Sequence, residues 1–209
     1  MLKTTLFGLL LAAITAPLAA RGAELPQEPA QITVLLYNYA GAPDHTLSLA
    51  QQQASRLLLE TGVRLVWLSC TLNEQGVAQD PRCNRAQGPA AVSMLICPRE
   101  MAPKQGLPRG IFGFSLISEN GISKSARIYL HRLEGLANGP NLRKGPLLGS
   151  MVAHEIGHLL LGVNSHARRG IMSIPWDSKK LRQADVGQLR FTNKEAAAMR
   201  AEALRRLGE

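Results

Sequence analysis

The stretch Val152-Ala153-His154-Glu155-Ile156-Gly157-His158-Leu159-Leu160-Leu161 places three polar side chains inside an apolar run. His154 and His158 are four residues apart, so on an α-helix both imidazoles project from one face. The apolar residues around them predict that this helix is buried against a β-sheet. Polar side chains are costly to bury unless they are paired or bind a metal. The stretch therefore predicts a central helix with a site on it.

Two imidazole nitrogens at this spacing can bind one zinc ion at about 2.0–2.1 Å each. Glu155 lies one position round the helix and can reach a water on the metal without being a ligand, as a general base does. The alternative is a chance match on a surface helix, in which both histidines are hydrogen-bonded and bind no metal. The apolar context favours the metal site.

A catalytic zinc site needs a third protein ligand and one open position. Gly162 directly follows the last helical leucine and suits a left-handed helix cap, after which the chain can return towards the metal. His166 comes four residues later and is the favoured third ligand, because neutral imidazole binds zinc well. Carboxylates remain as alternatives, at Glu195 far along the chain or nearer at Asp177 or Asp185.

The run from His154 to His166, followed by Gly170-Ile171-Met172, resembles the metzincin clan of zinc metalloproteases (zincins). The resemblance implies zinc ligands at His154, His158 and His166, a general base at Glu155, a turn glycine at Gly162 and a methionine beneath the metal at Met172. The glycine comes one residue later, and the third histidine two residues later, than in typical metzincins. The chain also resembles a group of uncharacterised exported bacterial proteins with the same motif.

The metzincin resemblance further implies an edge strand that binds peptide by strand addition. Gly113-Phe114-Ser115-Leu116 is the candidate, and an ordinary internal strand is the alternative. Ser173-Ile174-Pro175-Trp176 could form a wall of the substrate pocket, or Trp176 could belong to the core. Pro81-Arg82-Cys83 is similar to the cysteine-switch segment of matrix metalloproteases, although a disulfide suits Cys83 better in an exported chain.

Residues 1–20 have the features of a secretory signal peptide, with Lys3, a short apolar run over 6–14 and small residues that allow cleavage as late as residue 23. The run is shorter than the roughly 20 residues that a spanning helix needs. We therefore expect an exported protein, secreted or periplasmic, without stable membrane insertion. Residues 24–209 then form one domain.

The formal net charge is +9, and many of the basic residues lie near the C-terminus. No aromatic residues are interleaved with them and no nucleic-acid motif is present, so a solvated helix face is expected and nucleic acid is not an expected partner. Among three cysteines, Cys70 and Cys83 border a polar loop and are the favoured disulfide pair. Cys97 ends an apolar run and is expected to be a buried thiol.

The predicted fold is an α/β domain of the α+β zincin-like kind, with a twisted mixed sheet packed on the central helix and a small C-terminal helical part. Loops are expected over 71–90, 101–110 and 134–145, and residues 162–190 show no clear period. A capping box at Thr192-Asn193-Lys194-Glu195 opens the last helix. Strands are predicted at 32–39, 63–68, 91–96, 111–117 and 126–130, and helices at 45–61, from 146 or 147 to 161, and through about 207.

The expected function is peptide-bond hydrolysis with one zinc ion, in which Glu155 accepts a proton from the attacking water and passes it to the leaving amine. Two alternatives remain from the residues alone. One is a zinc hydrolase that acts on another amide. The other is a protein that binds zinc for its fold and catalyses nothing.

Overall fold

The computed structural model describes residues 28–208, except residues 74, 87, 105–107, 109, 117–124 and 138–141. The predicted signal peptide lies outside the described residues. The strands are β1 (Ala30–Asn38), β2 (Val63–Ser69), β3 (Ala91–Cys97), β4 (Gly113–Leu116) and β5 (Ser125–Tyr129). The helices are α1 (Asp44–Leu59), α2 (Pro81–Arg85), α3 (Leu130–Ala137), α4 (Lys144–Leu161), α5 (Ser178–Asp185) and α6 (Asn193–Leu207).

The five strands form one sheet in the order β2-β1-β3-β5-β4. The first four in this order pair in parallel, whereas β4 runs antiparallel to β5 at the edge. Ile32, Val34 and Leu36 alternate along β1 and are buried on one face of the sheet. The prediction of a mixed α/β fold is confirmed.

Helix α4 is the centre of the domain, and most of its 18 residues are buried. It contacts the sheet on one side and α1, α5 and α6 elsewhere. Gly145 and Gly149 let α1 approach closely, since a Cβ on Gly149 would lie 2.6 Å from the Cβ of Gln53. The helix starts at Lys144, ahead of the predicted 146 or 147, because a proline in the first turn costs no helical hydrogen bond.

Both ends of α4 are bonded by residues from distant elements. Asp185 accepts a hydrogen bond from the backbone N–H of Arg143, which precedes the helix, at 2.9 Å. Arg206 of α6 is buried and donates to the carbonyl of Leu159 in the last turn. These bonds satisfy groups that a helix end leaves unpaired, so α4 is fixed at both ends.

Three helices lie where loops or no clear period were predicted. Helix α2 interrupts the predicted 71–90 loop because Asp80 accepts from the N–H of Arg82, at 2.9 Å. Helix α3 occupies part of the predicted 134–145 loop, and it ends the preceding strand at Tyr129. Helix α5 lies within 162–190, where Asp177 accepts from the N–H of Lys180 at 2.8 Å. Each helix has eight residues or fewer, too short for a clear sequence period.

The remaining elements agree with the sequence apart from their ends. Strand β4 covers four residues instead of 111–117, and residue 117 lies outside the described residues. The capping box of Thr192 and Glu195 is confirmed at the start of α6. No described helix has both the length and the apolarity to cross a bilayer.

Cys70 and Cys83 form a disulfide, the same pair that the sequence favours. It packs with Leu35 and Leu68 in a small cluster on the face of the sheet away from α4. Cys97 is a free, buried thiol at the end of β3. The disulfide therefore stabilises the far face of the sheet and does not touch the central helix.

Candidate metal centre

The three predicted histidine ligands converge through their Nε2 atoms. The Nε2 atom of His158 lies 3.0 Å from that of His154 and 3.1 Å from that of His166. Two nitrogens bound to the same tetrahedral zinc at about 2.0–2.1 Å would be about 3.3 Å apart. The three rings are thus spaced as ligands of a single ion, and they form a potential metal-binding group among the described residues.

The hydrogen bonds of two rings determine which nitrogen faces the others. The Nδ1 atom of His154 lies 2.7 Å from the carbonyl oxygen of Ile171, which can only accept, so Nδ1 is the donor. The Nδ1 atom of His158 lies 2.7 Å from Ser165 Oγ, and this hydroxyl donates its own proton to the carbonyl of Gly162 at 2.8 Å. In the neutral rings both Nε2 atoms therefore carry lone pairs, and these lone pairs point towards each other. A cation bound by both nitrogens would stabilise this arrangement.

Burial keeps these rings uncharged. It lowers the pKa of His154 to about 4 and that of His158 to about 3, in each case because the protonated ring loses its hydration. It also lowers the pKa of His166, which lies on an exposed loop. Neutral imidazole is the form that binds metal ions, so the site is prepared for one at neutral pH.

A tight loop brings His166 back to the helix. Gly162 ends α4 with φ 79° and ψ −163°, so it is not the left-handed cap that was predicted, although its backbone conformation is one that only glycine readily adopts. Asn164 has φ 57°, in the left-handed region that asparagine tolerates. Ala167 then donates from its N–H to the carbonyl of Met172 at 3.0 Å and closes the next turn.

Met172 is fully buried beneath α4 at Gly157. A Cβ on Gly157 would lie 2.6 Å from the sulfur of Met172 and 2.9 Å from Cε1 of Phe191. The carbonyl oxygen of the preceding residue, Ile171, accepts a hydrogen bond from the ring of His154. The backbone N–H of Ile171 donates to the carbonyl oxygen of Arg190 at 2.8 Å. Ile171 and Met172 therefore support the helix and the ring of His154 directly.

Glu155 is 5% exposed and faces β4. Ser115 Oγ lies 3.1 Å from its Oε2 atom and 3.0 Å from its backbone carbonyl oxygen. A Cβ on Gly113 would lie 3.0 Å from the Oε1 atom, so the glycine gives that oxygen room. Burial raises the pKa of the Glu155 carboxyl to about 8, against the lowering effect of the Ser115 hydrogen bond.

A cavity of about 410 Å³ joins the histidines to the edge strand. Trp176 lines it as well as being largely buried, and its ring is 5.8 Å from that of His154. Among the described residues that line it, Glu155 is the one acidic group, and none is a lysine or an arginine. The lining is mostly apolar and includes Ile111, Phe112, Phe114, Met151, Val163 and Ile174.

The alternative carboxylate ligands are engaged elsewhere. Asp177 bonds the first turn of α5, and Asp185 bonds the start of α4. Glu195 accepts from the N–H of Thr192 at 2.7 Å in the capping box. Of the four candidates for the third ligand, the structure brings only His166 to the two helical histidines.

Sequence reasoning missed the partners that orient the site. The sequence gives Ser165 no role of its own and assigns Ser115 only to the edge strand. Their bonds to His158 and Glu155 span seven and 40 residues, respectively. A serine three residues after a helix-ending glycine was the one local signal, since its hydroxyl could reach back to the helix end.

No protein-family model matches the chain, and no curated protein matches its sequence. Among solved structures, it is similar to a zinc-dependent peptidase from Methanocorpusculum labreanum, at 17% identity and a TM-score of 0.48, over 79% of this chain and 99% of that one. It is also similar to an archaemetzincin from Methanopyrus kandleri, at 16% identity and a TM-score of 0.47, over 87% of this chain and 100% of that one. Both are distant likenesses.

Proposed function

We propose that this protein is a zinc-dependent peptidase. The observation that carries the proposal is the convergence of three histidine Nε2 atoms beside a buried glutamate, in a cavity bordered by an edge strand. The donor set fits zinc, because three neutral imidazoles with one open position are typical of catalytic zinc sites. His154, His158 and His166 would bind one ion.

Bound zinc would supply a Lewis acid that polarises the substrate carbonyl and lowers the pKa of a water towards about 7. A cation on the three histidines would favour the ionised form of Glu155 over the neutral form that burial stabilises. The ionised Glu155 accepts the proton of the attacking water and delivers it to the leaving amine. The Ile171 carbonyl and Ser165 hydroxyl hold the rings of His154 and His158 in their binding tautomers. The cavity beside these groups is lined mostly by apolar side chains.

The substrate in this proposal is an extended peptide on the free side of β4. Tyr129 donates from its N–H to the carbonyl of Phe112 at 2.9 Å. Because bonded pairs alternate in an antiparallel ladder, the peptide groups of Phe112 and Phe114 face β5 and those of Gly113 and Ser115 face outward. No described strand lies beyond β4, so a peptide can bond to these outward groups.

The proposal includes an exported enzyme. The Cys70–Cys83 disulfide suits an oxidising compartment, and the first 20 residues have the composition of a cleavable signal. Mass spectrometry of the protein recovered outside the cytoplasm should find a chain that begins between residues 21 and 24. Recovery of the uncut chain in the cytoplasm alone would reject this part of the proposal.

The experiment that tests the function compares the wild type with Glu155→Gln, both purified and analysed for zinc. We expect about one zinc ion per chain in each protein, and cleavage of a diverse peptide library only by the wild type. A zinc-loaded wild type that cleaves no peptide would reject the peptidase. Turnover of non-peptide amides would then favour another amide hydrolase, and no turnover at all would favour a zinc-ordered binding protein.

A further inference from the structure

Ser115 lies where the proposed peptide strand and the proposed base meet. Its backbone belongs to β4, and its peptide groups face the open edge of the sheet. Its side-chain hydroxyl is hydrogen-bonded to the carboxyl group of Glu155 on α4. One residue thus contacts both the catalytic base and the surface on which substrate would bind.

The hydrogen bonds of Ser115 hold one oxygen of Glu155 and leave the other available. Its hydroxyl has one proton, which is shared between Glu155 Oε2 and the Glu155 carbonyl oxygen, at 3.1 and 3.0 Å. The bond to Oε2 is the one that bears on the orientation of the carboxyl group, because the backbone carbonyl is already fixed within α4. Oε1 lies beside Gly113, where no side chain obstructs it.

Among the described residues, Ser115 is the one whose side chain is hydrogen-bonded to the carboxyl group of Glu155. Burial restricts the Glu155 side chain to a few rotamers, but burial alone does not select which oxygen faces the cavity. General-base catalysis depends on that choice, since the proton must be within about 2.6–3.2 Å of the accepting oxygen. The Ser115 hydroxyl supplies the selection.

We propose that Ser115 is a positioning residue that couples peptide binding on β4 to the orientation of Glu155. The proposal rests on the proposed function for its substrate, an extended peptide long enough to pair with β4. When such a peptide bonds to the outward groups of Gly113 and Ser115, it orders β4 and with it the hydroxyl on Glu155. Short amides that do not reach β4 lack this effect.

The test uses Ser115→Ala, Ser115→Thr and the control Leu116→Ala in the zinc-loaded full chain. Leu116 belongs to the same strand, but it is 44% exposed and its side chain lies on the other face. With a long peptide we expect Ser115→Ala to lower kcat by about 10- to 100-fold, with KM and zinc content little changed, because a small misplacement of a catalytic group costs about this much. Ser115→Thr retains the hydroxyl and should restore most of kcat.

A series of peptides with the same scissile bond and increasing length separates coupling from simple damage. In the wild type kcat should rise once the peptide is long enough to pair with β4, and in Ser115→Ala this rise should disappear. An equal loss for all lengths, or an effect on KM alone, would overturn the proposal. So would a comparable loss of kcat in Leu116→Ala.

Infrared difference spectroscopy tests the same contact without turnover. The carboxyl-group band that Glu155→Gln removes, whether from the neutral or the ionised form, is assigned to Glu155. In Ser115→Ala this band should shift, and in Ser115→Thr it should keep its position. An unshifted band would overturn the role of Ser115 even if peptides are cleaved. If the wild type cleaves no peptide, the proposed function fails independently of the contact. A shifted band would then still support the contact between Ser115 and Glu155. The absence of any rise of kcat with peptide length would overturn the coupling.

Discussion

Met172 packs directly against Gly157 of the central helix, and a Cβ on Gly157 would lie 2.6 Å from the Met172 sulfur. The sulfur is fully buried, and it adjoins the residue whose carbonyl bonds His154. A change at Gly157 is therefore transmitted through Met172 and Ile171 to the ring of His154. This pair connects the packing of the core to the geometry of the candidate metal centre.

Gly157→Ala should lower the free energy of unfolding by about 1–3 kcal/mol, because the added methyl overpacks a filled site. Urea denaturation of the zinc-free protein measures this. Gly135→Ala is the matched control in α3, where an added Cβ has no atom within 4 Å. There the better helix propensity of alanine should stabilise the protein by up to about 1 kcal/mol. Equal effects of the two changes would contradict the packing of Met172 against Gly157.

Ser165→Ala should weaken zinc binding by about 10- to 100-fold, since it removes the partner that fixes the His158 tautomer. Competition with a chromogenic chelator measures the affinity. Ser48→Ala, on the exposed side of α1, should leave it unchanged. An unaltered affinity in Ser165→Ala would show that His158 needs no such partner.

His166→Ala should weaken zinc binding by more than about 100-fold, because loss of a ligand costs more than loss of a ligand's partner. The comparison is His45→Ala, an exposed histidine of α1 outside the metal-binding group. Metal analysis after dialysis against a weak chelator gives the result. Retention of zinc by His166→Ala at the wild-type level would remove this residue from the ligand set.

Replacing Cys70 and Cys83 together with alanine should lower the free energy of unfolding by about 2–4 kcal/mol, as expected for the loss of a short-loop disulfide. The bridge joins residues 13 apart on the sheet face away from α4, so zinc affinity should not change. Cys97→Ala keeps the bridge and serves as the comparison in urea denaturation. A double variant that binds zinc poorly would show that the two faces are coupled.

The apolar lining of the cavity predicts a preference for peptides with an apolar residue next to the scissile bond. Leu, Asn and Asp are similar in size, so peptides that differ only in one of these residues next to the scissile bond compare polarity alone. We expect kcat/KM to fall from Leu to Asn to Asp, by at least about 10-fold overall, because burying a polar or charged group without a partner is costly. The order is measured by competition between the three peptides. A preference for Asp would contradict the apolar lining.

The central helix and its polar residues could be predicted because the information is local. A four-residue spacing places His154 and His158 on one face in any α-helix, and the apolar neighbours indicate burial. The C-terminal helix could be predicted for the same reason, since Thr192 and Glu195 form the capping box within four residues.

The contacts that complete the site could not be predicted, because they join residues far apart in the sequence. Asp185 bonds the start of α4 from 42 residues away, so sequence alone left it as a possible metal ligand. Ser115 reaches Glu155 only once β4 pairs with β5 at the edge of the sheet. Helix α3 could not be predicted because Leu130, Leu133 and Leu136 span fewer than two turns, too few to establish a helical period.

Two of the three glycines on α4 fix the position of this helix against α1. Gly145 and Gly149 are one turn apart, and each receives the closely packed surface of α1. If α4 slid by one residue, the side chain of Leu148 or Ser150 would have to occupy the space that Gly149 leaves for α1. The helix, with Glu155 on it, is therefore fixed relative to α1. Glu155 is therefore held in place by the core of the domain, whereas the cavity beside it is bordered by β4 and by residues 162–176.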